Sequence, residues 1–394
     1  YTPAIPAEHA ELRFFREHNF PMKKRAEILG MIASKFKTIA VAGTHGKTST
    51  STMIAHMLRV AGVETMAFLG GISKNYETNF LSGKEDKNVN PVPDQPRPGP
   101  CCVVEADEYD KSFLHLSPFI AVITSADADH LDIYGNHEDM KRTFAEFTGK
   151  IVPGGSLVMK AGTSVEPENK NSYTVYNYSL SPGVAFCGKN IRVTDGLFHF
   201  DFVHPGGEMK DLVLGVPGRF NLENSIAALT VCFLLGIGET HLRSALLSYQ
   251  GVRRRFDIQI QQPDLVYIDD YAHHPEELKA CINAVRELYP GKRITGVFQP
   301  HLFSRTRDLA DDFARSLALV DELILMDIYP AREKPIAGIT STLLLDKVNL
   351  AEKRLAGKEE LLRVIRECKP QVLLTMGAGD IDQFVEPISQ MLSE

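Results

Sequence analysis

The sequence predicts an α/β fold in two successive domains, a central one with a mostly parallel sheet and a small antiparallel β section, then a Rossmann-like C-terminal one. Three observations carry this. The stretch TIAVAGTHGKTST, residues 38 to 50, starts as a β-branched strand and passes two glycines into hydroxyl residues that open a helix. Two further apolar strand candidates, Cys101 to Glu105 and Phe119 to Thr124, each run into an acidic or histidine-bearing cluster. Open α/β sheets hold their ligands there, beyond the carboxyl ends of the strands. After GVRRRF, strand and helix patterns alternate again to the C-terminus.

In chain order, residues 1 to 36 hold two short helical patterns, with Leu12 and Phe15 and then Ile28, Leu29 and Ile32 as apolar positions. They have no strand set of their own and read as the tail of a preceding domain, since the chain opens at Tyr1 in mid-element. The strand from Thr38 leads into a helix whose Met53, Ile54, Met57, Leu58 and Ala61 share one face and which Gly62 stops. The segment PVPDQPRPGP suits neither helix nor central strand, so residues 83 to 100 are expected to be a surface excursion. Residues 173 to 216, rich in Tyr, Val, Phe and Gly without a helical period, form the expected antiparallel section, and a helix returns from Asn221 to Gly236. The second domain alternates VYIDD, a helix from Glu277 to Leu288, ITGVFQ, a helix from Leu309 to Leu317, ELILMDIY and QVLLTMG. The expected divisions are therefore 1–36, 37–250 and 251–394.

Composition excludes several classes. A chain of 394 residues is too long for one ordinary domain, and 44% hydrophobic with 24% charged residues is a soluble globular balance. A net charge of -7 leaves no basic surplus for general nucleic-acid binding. The longest apolar run, around ALTVCFLLGIG, covers about half of the roughly 20 residues a membrane helix needs, and no signal-peptide layout is present. A cytoplasmic protein without membrane contact is expected. The six cysteines include no C-x-x-C pair, which suits neither a disulfide framework nor a zinc site, so they are expected to pack in the core.

The chemistry lies in three clusters. GTHGKT, between a strand and a helix, departs from G-x-x-x-x-G-K-[ST] in having Val41 where the first glycine belongs and Gly43 two positions later. It still places backbone N–H groups at a helix start, where they and the helix dipole grip phosphate oxygens. Lys47 would reach the outer phosphates and the Thr48 hydroxyl would hold magnesium; the plain alternative is a glycine turn before a helix. In VVEADEYD, residues 103 to 110, Glu105 lies closest to the strand end and can share the magnesium of Thr48, an ion that requires hard oxygen ligands. Asp107, Glu108 and Asp110 read equally well as a solvated acidic turn. In SADADHLD, residues 125 to 132, His130 is either a second-metal ligand or part of a capped turn.

Taken together, these motifs resemble the Mur ligase family, the ATP-dependent amide-forming enzymes of bacterial cell-wall synthesis. The resemblance runs from about residue 1 to the C-terminus. The family's short loop is G-T-x-G-K-[ST], which GTHGKT matches, so the resemblance implies a central P-loop-type ATPase domain and ATP contacts from Gly43, Thr44, His45, Gly46, Lys47, Thr48 and Ser49. GRFNLENSIAA matches the family's H-N-x-x-N-x-x-A-A segment, which serves the adenine, through Asn221 and Asn224, with Phe220 replacing the histidine. Arg255 matches an arginine that reaches the ATP phosphates, and Asp270 an aspartate near the ribose. YIDDYAHHPEE and FQPHLFSRTRDLADDF are most like the member that adds the first amino acid, L-alanine, to UDP-N-acetylmuramate. They imply Tyr271, His301 and Arg305 as amino-acid contacts, with Leu302 standing where many relatives have a second arginine. Without the resemblance, Arg305 and Arg307 read as solvated charges near a helix start.

The implied reaction transfers the terminal phosphoryl group of ATP to a carboxylate and lets the alanine amine displace phosphate from the acyl phosphate. Lys47, Glu105, His130 and Arg255 are the implied catalytic set, with two magnesium ions held through Thr48, Glu105 and His130. Small molecules, namely ATP, UDP-N-acetylmuramate and L-alanine, are the implied partners. The family's N-terminal UDP-binding domain is expected to precede residues 1 to 36. Two rivals remain: a relative that attaches a recycled tripeptide to the same nucleotide sugar, and a P-loop nucleotide-binding protein without ligase activity.

Overall fold

The computed structural model describes residues 1–2, 5–6, 8–83, 98–127, 134, 136–194, 196–331 and 333–393. The chain divides into two units, Tyr1–Gly251 and Val252–Glu394. The described residues of the first unit place ten strands in one sheet. These are β1 (Lys37–Ala42), β2 (Thr65–Ser73), β3 (Thr78–Ser82), β4 (Cys101–Glu105), β5 (Ile120–Ile123), β6 (Ser156–Lys160), β7 (Thr174–Ser179), β8 (Phe186–Thr194), β9 (Leu197–His204) and β10 (Gly207–Leu214), in the order β10-β9-β8-β7-β6-β5-β1-β4-β2-β3.

The middle of this sheet is parallel and buried on both faces, which is why its strands read as continuous apolar runs. Alternate residues of β1 divide between two cores. Ile39 and Val41 pack with Met53, Ile54 and Leu58 of helix α3 (Lys47–Val60) and with apolar residues from 222 to 246. Ala40 and Ala42 face Phe113, Phe144 and Phe147, whose rings meet edge-on at 5.3 Å and stacked at 4.8 Å. The helix register anticipated from Met53 to Ala61 is therefore the packing register, and Gly62, at φ 70°, follows its end.

The antiparallel section is the flank of this same sheet. Strands β8, β9 and β10 form a meander, whereas β7 joins β6 in parallel, Ser156 opposite Thr174. Composition marked the region as strand, but direction is set by the connection that returns the chain to the sheet. The expected surface excursion overlaps residues 84–97, which lie outside the described residues.

The two N-terminal helical patterns become α1 (Ala10–Glu17) and α2 (Arg25–Ala33). Leu12 is buried, but Phe15 and Ile28 are exposed. The chain before and after α1 pairs in the manner of parallel strands, Tyr1 donating to the Lys23 carbonyl at 2.8 Å and the Arg25 N–H to the Tyr1 carbonyl at 2.7 Å. Helix α2 lies close on the segment after β4: a Cβ on Gly30 would sit 2.2 Å from the His115 carbonyl oxygen.

In the second unit the described strands are β11 (Asp257–Gln261), β12 (Val266–Asp270), β13 (Ile294–Phe298), β14 (Glu322–Leu325), β15 (Lys353–Leu355) and β16 (Val372–Met376), in the order β11-β12-β16-β13-β14-β15. All neighbours are parallel except β11 with β12. The predicted helix from Leu309 to Leu317 is the helix Ala310–Leu317, and a short helix that was not predicted, Phe303–Asp308, precedes it. All six cysteines are free and five are buried, as packing residues should be. Among the described residues no helix is long and apolar enough to cross a membrane.

Candidate active site

Strand β1 ends against a loop that needs glycine at both of its glycine positions. Gly43 has φ 138° and Gly46 φ 82°. A Cβ would stand 2.1 Å from Thr124 Oγ1 at the first and 2.6 Å from Asn224 Oδ1 at the second. The loop is strapped to the residues after β5. The His45 N–H donates to Ser125 Oγ at 2.8 Å, Thr44 Oγ1 lies 2.9 Å from that oxygen, and the Asp127 N–H donates to Thr44 Oγ1 at 3.1 Å. Gly46 caps α3 without a side-chain hydrogen bond, so the first-turn amides, which have no partner inside a helix, remain for an anion.

Lys47, the first residue of α3, turns back on its own loop. Its ammonium donates to the Gly43 carbonyl at 2.6 Å and to Glu108 Oε1 at 2.7 Å. Burial alone would pull the Lys47 ammonium down, but the carboxylates of Glu108, Glu105 and Asp107 together hold it above its ordinary value. Glu108 is fully buried, and the Tyr134 hydroxyl donates to its backbone carbonyl at 2.5 Å. The residue that read as part of a solvated turn is thus the counter-ion of the loop lysine. Its spacing from Glu105 gives no sign of this; just beyond it Asp110 and Lys111 both have left-handed backbones, with φ 53° and 54°. Such strain in bulky residues collects at functional sites. Lys24 anchors the turn by pairing with Asp110 at 2.7 Å.

Glu105 ends β4 with its Oε2 accepting the Gly70 N–H at 2.9 Å, and a Cβ on Gly70 would collide with the carboxylate at 2.2 Å. Glu105 and Asp107 line a cavity of about 330 Å³ with Arg25, Leu29 and Phe68. Thr48 lies buried in the first turn of α3, beside Ser49, whose carbonyl accepts from the Tyr249 hydroxyl at 3.3 Å. A hydroxyl and carboxylates are the hard donors magnesium takes. Among the described residues no group of three or more His, Cys, Asp or Glu is placed to hold a metal. His130 lies outside the described residues. Asn221 and Asn224 are buried on the helix Arg219–Leu234: Asn221 Nδ2 donates to the Pro217 carbonyl at 2.7 Å, and Asn224 abuts Gly46.

In the second unit a different cluster forms at the carboxyl ends of β12, β13 and β14. Tyr271 follows β12, with the guanidinium carbons of Arg255 and Arg254 5.0 and 5.2 Å from its ring centre. Asp270, beside it, accepts the N–H groups of Phe256 at 2.6 Å and Ala272 at 2.7 Å; burial, partly offset by Arg255, pushes its carboxyl up to about 6. The carboxylate of Asp270 therefore ties the residue after Tyr271 to the segment that carries Arg255. His301 stacks on Tyr329 with ring centres 5.7 Å apart and stands 6.1 Å from His273. Burial, with the charges of His273 and Arg305, brings the His301 imidazole down to about 4. Arg305 Nη1 and His301 Nδ1 are buried without a protein partner among the described residues. Leu302 holds a left-handed backbone at φ 72°, pinned by its N–H on the Tyr329 carbonyl at 2.9 Å. Glu333 bonds the Ser304 N–H at 2.9 Å, so a carboxylate secures the helix that carries Arg305. His273, Tyr329 and Glu333 were not singled out in the sequence. His273 had a signal, its adjacency to Tyr271, but Tyr329 and Glu333 come from a distant loop.

The Mur ligase middle-domain model matches residues 41–232, and the Mur ligase glutamate ligase domain model matches residues 254–379. UDP-N-acetylmuramate--L-alanine ligase of Parabacteroides distasonis is 48% identical over all of this chain and 82% of its own length, and that of Porphyromonas gingivalis 47% identical over all of this chain and 84% of its own. The chain belongs to the Mur ligase family. Among solved structures, the UDP-N-acetylmuramate-alanine ligase MurC of Thermotoga maritima covers the whole chain at 25% identity with a TM-score of 0.81, over 84% of its own length. The MurF ligase of the same organism, solved with ADP, shares the Mur ligase fold at TM-score 0.69 and 17% identity, covering 95% of this chain and 86% of its own.

Proposed function

We propose that this chain is an ATP-dependent ligase that joins L-alanine to the lactyl carboxylate of UDP-N-acetylmuramate through an acyl phosphate, in peptidoglycan precursor synthesis. The observation that carries the amino-acid half is the pair of buried nitrogens Arg305 Nη1 and His301 Nδ1 at the strand ends of the second unit, both without a protein partner among the described residues. They stand in a chain whose relatives at 44 to 48% identity are L-alanine ligases. A planar guanidinium whose charge reaches both His273 and His301 suits the carboxylate of an amino acid.

The phosphoryl half rests on the first unit. The amides opening α3 and the Lys47 ammonium hold phosphate oxygens and stabilise the charge that develops on them. Asn221 and Asn224 serve the base, and Arg255 and Asp270 belong to the nucleotide side of the second unit. Thr48 and Glu105, with His130, are the donors for magnesium, two ions in this reading, which neutralises charge on the phosphates when bound. The γ-phosphoryl group moves from ATP to a carboxylate oxygen. The alanine amine then attacks the carbonyl carbon, and phosphate leaves carrying that oxygen. No serine or cysteine nucleophile is required.

An acceptor labelled with ¹⁸O in its lactyl carboxylate tests this route. One labelled oxygen should appear in inorganic phosphate for each amide formed. Unlabelled phosphate would contradict the acyl phosphate.

A further inference from the structure

We propose that Glu108 is a stowing counter-ion for Lys47, and that it makes nucleotide binding depend on the divalent ion. The inference rests on the reading of the glycine loop as the nucleotide site and adds to it a role for a residue outside the phosphate-contacting set.

A loop lysine extended toward the phosphate position would attract any polyphosphate, with or without metal. Lys47 is not extended. Its side chain is 14% exposed and its ammonium is held between Glu108 Oε1 and the Gly43 carbonyl. Glu108 is fixed in turn: it is wholly buried, its carbonyl accepts the Tyr134 hydroxyl, and the two left-handed residues that follow turn the chain away. The fields of Glu105 and Asp107 also reach the ammonium. Three carboxylates, with Lys47 and Arg25 as the cations beside them, leave this corner net negative, and the end of α3 returns only about half a charge. A bare nucleotide tail meets repulsion there and a cation already taken. Thr48 and Glu105 would hold a divalent ion brought with the phosphates, whose charge would offset the local negative field, and Lys47 would then exchange Glu108 for a phosphate oxygen. Glu108 is thus a positioning residue that need never touch substrate.

The test is ADP affinity on the full chain, by calorimetry or by displacement of a fluorescent ADP, in magnesium chloride and in EDTA. In the unmodified chain magnesium should tighten ADP by about a hundredfold or more. Glu108→Gln, which keeps the shape and removes the charge, should tighten metal-free ADP by roughly tenfold, the scale of one charge-assisted hydrogen bond, and so narrow the ratio. Glu108→Asp, still charged, should restore it. Lys47→Met supplies an arm that does not depend on how Glu108 variants fold. It should weaken magnesium ADP by roughly tenfold yet leave metal-free ADP within about threefold, because the stowed lysine gives nothing to the bare nucleotide.

Equal loss of both forms in Lys47→Met, or an unchanged ratio in Glu108→Gln, overturns the stowing role and leaves the nucleotide site standing. Failure of the unmodified chain to bind magnesium ADP at all overturns both.

Discussion

Arg305 and Lys47 are cations of the same sign in opposite situations, and their substitutions should fail in different ways. Arg305 keeps a buried Nη1 without a partner among the described residues, so Arg305→Ala should raise the KM for L-alanine roughly ten- to a hundredfold, the loss of a charge-assisted contact. The KM for ATP should stay within about threefold. Steady-state titration of each substrate checks this, and equal effects would move Arg305 to the nucleotide. Lys47→Ala should instead lower kcat by about a hundredfold or more at saturating ATP, because its charge acts on the phosphoryl group in flight. Phosphate release gives the readout, and near-normal turnover would remove Lys47 from the chemistry. The loop, Lys47 and Glu105 were legible in the sequence as short motifs at strand ends, whereas Arg305 stood out only through the family resemblance. Glu108 was not legible as a counter-ion, since its partner Lys47 lies 61 residues earlier in the chain and no local pattern announces the pairing. Tyr329 and Glu333 were hidden for a related reason, lying on a loop that only sheet order brings to His301 and Ser304.

At the scale of elements, α3 does more than present phosphate donors. His56, on its buried face, accepts or donates to the Tyr76 hydroxyl at 2.9 Å and to Ser248 Oγ at 3.0 Å, tying α3 to the β2–β3 turn and to the helix Glu239–Ser248. Burial brings this imidazole down to about 4, below its ordinary 6.5. The folded state therefore holds it neutral while the unfolded chain protonates it, so its share of stability is present above pH 6.5 and is lost as pH falls toward 4. A shift of that size corresponds to about 3 kcal/mol. Thermal unfolding should show Tm falling through this window, and His56→Gln should lower Tm at pH 7 while flattening the fall. Parallel curves would exclude His56 as the source. The helical period of α3 was readable because its packing face is apolar, whereas the hairpin it grips was missed. Residues 65 to 82 mix glycine, polar and apolar positions without clean alternation, since the buried positions of β2 include Thr65 and Ser73 while Met66, Phe68 and Ile72 lie at the less buried ones.

For the whole molecule, two mostly parallel sheets carry the candidate residues at strand carboxyl ends and divide the labour in the proposed reading. The first unit bears the glycine loop and its carboxylates; the second bears the aromatic and cationic cluster proposed for the amino acid. The alternation of strand and helix predicted both sheets because buried parallel strands are apolar throughout. It did not predict that the antiparallel flank continues the first sheet, a matter of long-range pairing. The claim that joins the two units is strict dependence of ATP turnover on both acceptor and amino acid. The direct measurement is phosphate release by the complete natural chain with UDP-N-acetylmuramate, magnesium and ATP, with L-alanine, a peptidoglycan tripeptide or no amine added and the products weighed by mass spectrometry. The account predicts turnover with L-alanine and a product heavier by one alanyl residue, with little phosphate from the other two mixtures. Turnover indifferent to L-alanine, or a product formed only with the tripeptide, would contradict it.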